Sequence, residues 1–258
     1  MKIKFSLVFF LCFAIFASVS LCFAQRTDNT GILELFVRAN MAYKQAKYDE
    51  AISDYESILS KGYDNGNLYY NLGNSYFKKG LLGKAVLNYE RARFFMPNDS
   101  DLRSNYEYVL SLTYLAHERS GGNWFVRGID KLFSGVNCNF IACVLSACFC
   151  LVILIIILRM TFPQRRKFYK ILLFLILIIF IPAMLAFNRK LDYFDKSAVI
   201  ISKETEAKFG PLQDATTFFM LPEGSKVKIL DQTFDWFKIR RFDGKEGWVA
   251  KSDAEKMF

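Results

Sequence analysis

The sequence predicts a multidomain membrane protein: an all-α repeat stack, two transmembrane helices and a C-terminal all-β barrel. Three observations carry this. Residues recur at a period of 34 between positions 32 and 99, two almost uncharged apolar runs occupy 140–158 and 171–187, and beyond residue 196 short alternating segments are divided by turn residues. The elements follow in chain order.

Residues 1–24 have the layout of a secretory signal. Lys2 and Lys4 precede an apolar region, and Cys22, Phe23 and Ala24 lead to Gln25, so cleavage is expected after Ala24. A retained anchor would put the next segment on the same outer side. Lipoprotein processing at Cys22 fits less well, because Leu21 is too large for the small residue it requires.

Residues 27–119 form the repeat region, with copies at about 32–65 and 66–99. Asn40 recurs as Asn74, Tyr43 as Phe77, Ala51 as Ala85, Tyr55 as Tyr89 and Ile58 as Ala92. The second copy, with Leu68, Leu72, Gly73, Tyr76, Phe77 and Gly80 followed by Ala85, Tyr89, Ala92 and Pro97, resembles the tetratricopeptide family. The first departs from the pattern at Arg38, Ala39 and Tyr63, where the second has Leu72, Gly73 and Pro97. The resemblance implies two antiparallel helices per unit, small residues where helices approach, and Tyr55 and Tyr89 between them. Leu102, Tyr106, Val109 and Leu110 recur at helical spacing in 101–116, which makes that run the helix expected to cap the stack.

In this family the first helix of each unit lines the concave groove. The register then assigns Phe36, Asn40, Tyr43 and Lys44, with Tyr70, Asn74, Phe77 and Lys78, to a peptide-binding groove. An asparagine and lysine ladder is similar to the clamps that hold a peptide's terminal carboxylate, although Phe36 and Tyr70 stand where such clamps often have lysine. A groove for an extended peptide and a purely structural use of Asn40 and Asn74 are the other readings.

Gly121 and Gly122 mark a flexible joint. Residues 120–138 read as an interfacial helix with Trp124 at its start and Phe125, Ile129, Leu132, Phe133 and Val136 on the face towards the membrane, or as an extra helix on the stack. The apolar runs 140–158 and 171–187 are about 28 Å and about 25 Å long as helices, enough to cross a ~30 Å hydrocarbon core with help from their flanks. The connection 159–170 holds Arg159, Arg165, Arg166, Lys167 and Lys170 and no acid, so it is expected in the cytoplasm. Both soluble parts then face the extracytoplasmic side of the bacterial inner membrane.

Charge supports that division. The net charge is +9, yet residues 26–119 balance 12 basic against 12 acidic side chains and residues 188–258 balance 13 against 12. The excess belongs mainly to the hairpin loop and gives no reason to expect nucleic acid as a partner. The cysteines, Cys12, Cys22, Cys138, Cys143, Cys148 and Cys150, lie in the signal or in or beside the first apolar run. The soluble parts therefore offer neither a disulfide framework nor a cysteine metal site.

Residues 196–258 are expected to fold as a small barrel, with strands at 198–201, 217–221, 226–230, 236–241 and 247–250 and a hairpin turn at Asp243-Gly244. The run 221–230, with Trp236, Lys238, Asp243, Gly244, Gly247, Trp248 and Val249, resembles the bacterial SH3 family. The resemblance offers Trp236 and Trp248 for a ligand groove. The other reading puts both indoles in the core.

Motifs for catalysis are lacking. His117 is the only histidine, there is no nucleophile elbow, zinc-protease or phosphate-loop motif, and Gly80, Gly83 and Lys84 only imitate the last, since the glycines are too close and Ala85 follows. Neither an enzyme nor a cofactor is expected.

The order of signal, two tetratricopeptide repeats, membrane hairpin and terminal SH3-like domain resembles the E-type members of the Bat (Bacteroides aerotolerance) group. The resemblance implies a non-catalytic scaffold, with membrane proteins bearing von Willebrand A domains as partners, a MoxR-type ATPase indirectly, and a role in stress tolerance or envelope assembly. The alternative is a peptidoglycan-binding or sensing protein acting through its SH3 domain.

Overall fold

A computed structural model describes residues 30–113, 133 and 135–258. The signal, His117, Trp124 and most of the expected interfacial helix lie outside the described residues.

The N-terminal part is helical: α1 (Thr30–Lys44), α2 (Tyr48–Ser60), α3 (Gly66–Lys78), α4 (Leu82–Phe95) and α5 (Ser100–Leu112). Side-chain caps fix where two of these begin. Asn65 accepts a hydrogen bond from the Leu68 amide at 2.9 Å, and 34 positions later Asp99 accepts one from Leu102 at 2.8 Å, each satisfying an amide the helix cannot. Tight turns end α1 and α3 at Ala46 and Gly80, also 34 apart and both left-handed (φ 58° and 74°). Gly73 lets α3 meet α4 closely, since a Cβ there would stand 2.8 Å from the Tyr89 ring.

Two longer helices follow, α6 (Cys138–Thr161) and α7 (Arg166–Asp195), separated by Phe162 and one 3-10 turn, Pro163–Arg165. Both are long and apolar enough to cross a membrane, and only 17% of either apolar stretch is buried, unlike the core helix of a soluble protein. Their mutual contact runs through Cys148 and Ile155 on α6 and Tyr169 and Ile176 on α7, seven residues apart on each helix, and Ile141 and Ala183, one further step of seven along each, are also buried. That spacing suits two helices crossing at a shallow left-handed angle. Asn137 caps α6 by accepting from the Phe140 amide at 2.8 Å. Helix α7 carries Pro182 in its interior, and Lys196 alone separates its end from the first strand.

The C-terminal part is one antiparallel sheet in the order β3-β2-β6-β5-β4-β1-β7. Its strands are β1 (Ser197–Ile200), β2 (Glu204–Lys208), β3 (Thr217–Pro222), β4 (Lys226–Gln232), β5 (Trp236–Arg240), β6 (Glu246–Ala250) and β7 (Ala254–Lys256). β2 and β7 were not among the expected strands. Both are short and charged, and in β2 only Thr205 and Ala207 turn inward. The core is made by Ile200, Phe219, Leu221, Val227, Ile229, Phe237, Ile239 and Val249 with smaller residues. Trp236 and Trp248 are outside it and half-buried. They alternate with Phe237 and Val249, so a pleated strand must turn them to the opposite face.

The helices and the sheet share a core. Phe194, Val199 and Met257 pack among the helical residues, and α4 is the helix they meet. A Cβ at Gly83 would come within 2.5 Å of the Ile200 carbonyl, and the Gly83 amide donates to Glu223 at 2.7 Å. Arg91 donates to the Met257 and Lys256 carbonyls at 2.7 and 2.9 Å and to the Glu255 carboxylate at 2.9 Å. Phe94 lies edge-on to Phe194, with ring centroids 4.9 Å apart, and 5.3 Å from Phe258.

Candidate binding groove and barrel surface

The helical face singled out by the period is held by a network of amides. The Tyr55 hydroxyl donates to Asn40 Oδ1 at 2.6 Å, and Asn71 Nδ2 donates to the same oxygen at 3.0 Å. One period on, the Tyr89 hydroxyl donates to Asn74 Oδ1 at 2.7 Å, and Asn105 Nδ2 at 3.1 Å. Asn105 also donates to the Tyr70 hydroxyl at 2.8 Å. Burial pushes the Tyr55 pKa up to about 12 and raises that of Tyr89, so both phenols stay protonated and serve as donors at neutral pH.

With two donors on each carbonyl oxygen, the orientation of both amides is decided. The Nδ2 atoms of Asn40 and Asn74 have no partner among the described residues. The oxygens of these asparagines thus tie helices together, and their nitrogens remain as matched donors. Phe36, Tyr43, Tyr70 and Phe77 are half-buried beside them, while Lys44 and Lys78 are exposed. Lys78 lies 5.9 Å from the Phe77 ring centroid. It also lines a cleft of about 320 Å³ with Ala46, Tyr48, Lys79 and neighbouring residues.

Sequence reasoning missed Asn71 and Asn105. The signal was available, since 71 and 105 are one period apart, as are Leu68 and Leu102. Following the period into α5 would have found the lower half of the network.

On the barrel the two tryptophans separate. Trp236 lines a cleft of about 470 Å³ with Pro211, Leu212, Asp235, Ala250 and Lys251, whereas Trp248 does not. Trp248 lies opposite Lys238 on β5 and Lys208 on β2, among charges paired as Lys238–Glu246 (3.3 Å) and Arg240–Glu246 (2.6 Å). Beyond β2, Phe209, Phe218 and Met220 are exposed, and the two phenyl rings are 4.5 Å apart. The sequence reading passed over these apolar side chains, which face outward because Phe219 and Leu221 between and beside them face in. At the hairpin tip, Arg241 beside Asp243 holds that carboxyl down at about 2.

Among the described residues no group of three or more histidine, cysteine or acidic side chains could hold a metal ion. A family model described as a bacterial SH3 domain matches residues 209–255. This covers β3 to β6 and most of β7, and leaves out β1 and β2. A bacterial SH3 domain is thus detected at residues 209–255. No curated protein matches the chain.

Proposed function

We propose that the protein is a non-catalytic, membrane-anchored scaffold that holds an extended segment of a partner protein on the extracytoplasmic side of the inner membrane. In this reading residues 30–113 are tetratricopeptide repeats with α5 as their cap, and the hairpin of α6 and α7 spans the bilayer. The observation that carries it is the duplicated network on α1, α3 and α5, which leaves Nδ2 of Asn40 and Asn74 as donors in register with Lys44 and Lys78. Regularly spaced donors suit the carbonyls or terminal carboxylate of an extended chain. The partners that fit are those of the E-type Bat members: von Willebrand A-domain membrane proteins and, through them, a MoxR-type ATPase.

Contact between α4 and β1 supports a common side for the two soluble parts, since segments that touch cannot lie across a bilayer from each other. The cationic turn of the hairpin then supports the extracytoplasmic side. A reporter enzyme active only outside the cytoplasm should be silent when fused at Gln164 and active when fused at Ser202. Activity at Gln164 would reverse the topology.

Groove binding is tested by photocrosslinking in intact membranes. Asn74→Asp keeps an oxygen for Tyr89 and Asn105 while removing the donor, and Lys78→Glu reverses the charge. Together they should weaken capture by on the order of 2–4 kcal/mol, the range for lost charge-assisted bonds, with helix content unchanged. A second reading, peptidoglycan binding by the SH3 domain, rests on the cleft beside Trp236. If Trp236→Ala abolishes capture or retention on isolated cell wall and the groove variant does not, the barrel is the principal binding site.

A further inference from the structure

A third cavity, of about 420 Å³, lies where the helices, the barrel and α7 meet. Arg93, Arg189, Lys190 and Lys226 line it, with Glu90 as the one carboxylate of its described lining and Phe133, Ala186 and Phe194 among its apolar members. Two of the cations are positioned from within. Glu90 is buried, pairs with Arg93 at 3.0 Å and with Lys226 at 3.2 Å, and accepts from the Tyr106 hydroxyl.

Depth gives this cavity its meaning. Its α7 residues, Ala186, Arg189, Lys190, Tyr193 and Phe194, form one helical stripe that begins at the end of the apolar run 171–187. A helix segment just beyond the hydrocarbon lies among the phosphates. Lys190 also donates to the Val136 carbonyl at 2.5 Å, which ties the start of α6 to the same level. On the bilayer side, Ile181, Met184 and Leu185 of α7 and Phe140 of α6 are exposed for acyl chains.

We infer that this cavity is a binding site for the phosphate headgroup of an anionic phospholipid of the outer leaflet. The cations meet the phosphate, and the exposed side chains of α6 and α7 meet the chains. Such a lipid would fasten the barrel, the helices and the membrane at one point. The inference rests on the hairpin spanning the bilayer, and resistance of the protein to extraction by alkaline carbonate separates that premise from the site itself.

The test uses the full chain in mixed micelles of neutral detergent with phosphatidylglycerol or phosphatidylcholine, followed by native mass spectrometry. Phosphatidylglycerol should be retained preferentially. Arg189→Gln with Lys190→Gln should lower its retention about tenfold or more, whereas Lys196→Gln with Lys228→Gln should not. The latter two are nearby cations that share Asp192 and lie outside the cavity lining. Equal losses in both pairs would mean diffuse attraction and overturn the site. Inorganic phosphate competing as well as the lipid would overturn the assignment to a lipid. A readout that needs no charge removed is Tyr193→Trp in a chain whose Trp124, Trp236 and Trp248 are replaced by Phe. Its fluorescence should be quenched more by brominated phosphatidylglycerol than by brominated phosphatidylcholine, and equal quenching would refute the site.

Discussion

Helices α2 and α4 occupy the same place in successive copies of the period, yet their surroundings differ completely. α2 buries Ala51, Tyr55 and Ile58 and leaves Ser53 and Glu56 in water. α4 buries Ala85, Tyr89 and Ala92 at matching positions, and also Val86, Leu87, Asn88 and Glu90, because it is enclosed by α3, α5 and the barrel. The two carboxylates show the consequence. Glu56 accepts a tyrosine hydroxyl, from Tyr76, at the surface, while its counterpart Glu90 accepts one from Tyr106 in the interior, with Arg93 and Lys226 beside it. A repeat therefore specifies its internal face, and the outer face is free to become a docking surface.

The largest effect that should break this comparison is at the buried carboxylate. Glu90→Gln leaves two cations without their counter-charge and should cost roughly 2–4 kcal/mol of stability. Glu56→Gln should cost under about 1 kcal/mol. Urea titrations of the full chain in detergent would measure both. Equal costs would mean that the docked surface adds nothing to the second copy.

Acid should act next, and on the same group. Burial alone would raise the Glu90 pKa, but Arg93, Lys226 and the Tyr106 hydroxyl outweigh it and hold the group below its ordinary value of 4.5. A carboxyl depressed in the folded state contributes stability that is present above its unfolded pKa and lost as pH falls through the folded one. Thermal stability should therefore fall below about pH 4.5, with a shallower fall in Glu90→Gln. An identical pH profile in the variant would remove Glu90 from the account.

The smallest effect sharpens the contrast between the two copies at their turns. Gly80 and Ala46 both adopt positive φ, and a Cβ at Gly80 would meet nothing within 4 Å. Gly80→Ala should thus cost about 1 kcal/mol for backbone strain alone. Ala46→Gly should change stability by less than about 0.5 kcal/mol, because relief of strain is offset by a freer unfolded chain. A large loss from Ala46→Gly, read as a shift in the urea midpoint, would show that the methyl has a packing role.

What could be read from the sequence was whatever repeats locally. The 34-residue period marked Tyr55, Tyr89, Ala51 and Ala85, all fully buried in the structure, because core positions recur with the helix. Alternation likewise placed β4 and β5, and applied to Phe237 and Val249 it turns Trp236 and Trp248 outward. The docking of the barrel on α4 could not be read this way. It depends on Gly83, Arg91 and Phe94 meeting residues a hundred or more positions away, which no local pattern names. The asparagines of the groove were visible, but not that their oxygens were already committed to Tyr55 and Tyr89.

Helix α7 enters the barrel with only Lys196 between Asp195 and Ser197, so rotation is transmitted from one to the other. An α-helix advances roughly 100° per residue. One residue inserted between Phe187 and Asp195 would swing β1, and the whole sheet with it, through more than a quarter-turn about the α7 axis. Met257 and Glu255 would leave Arg91, and Lys226 would leave Glu90. The stalk therefore acts as an angular gauge whose length is fixed to the residue, although almost any sequence that remains helical could supply its outer face.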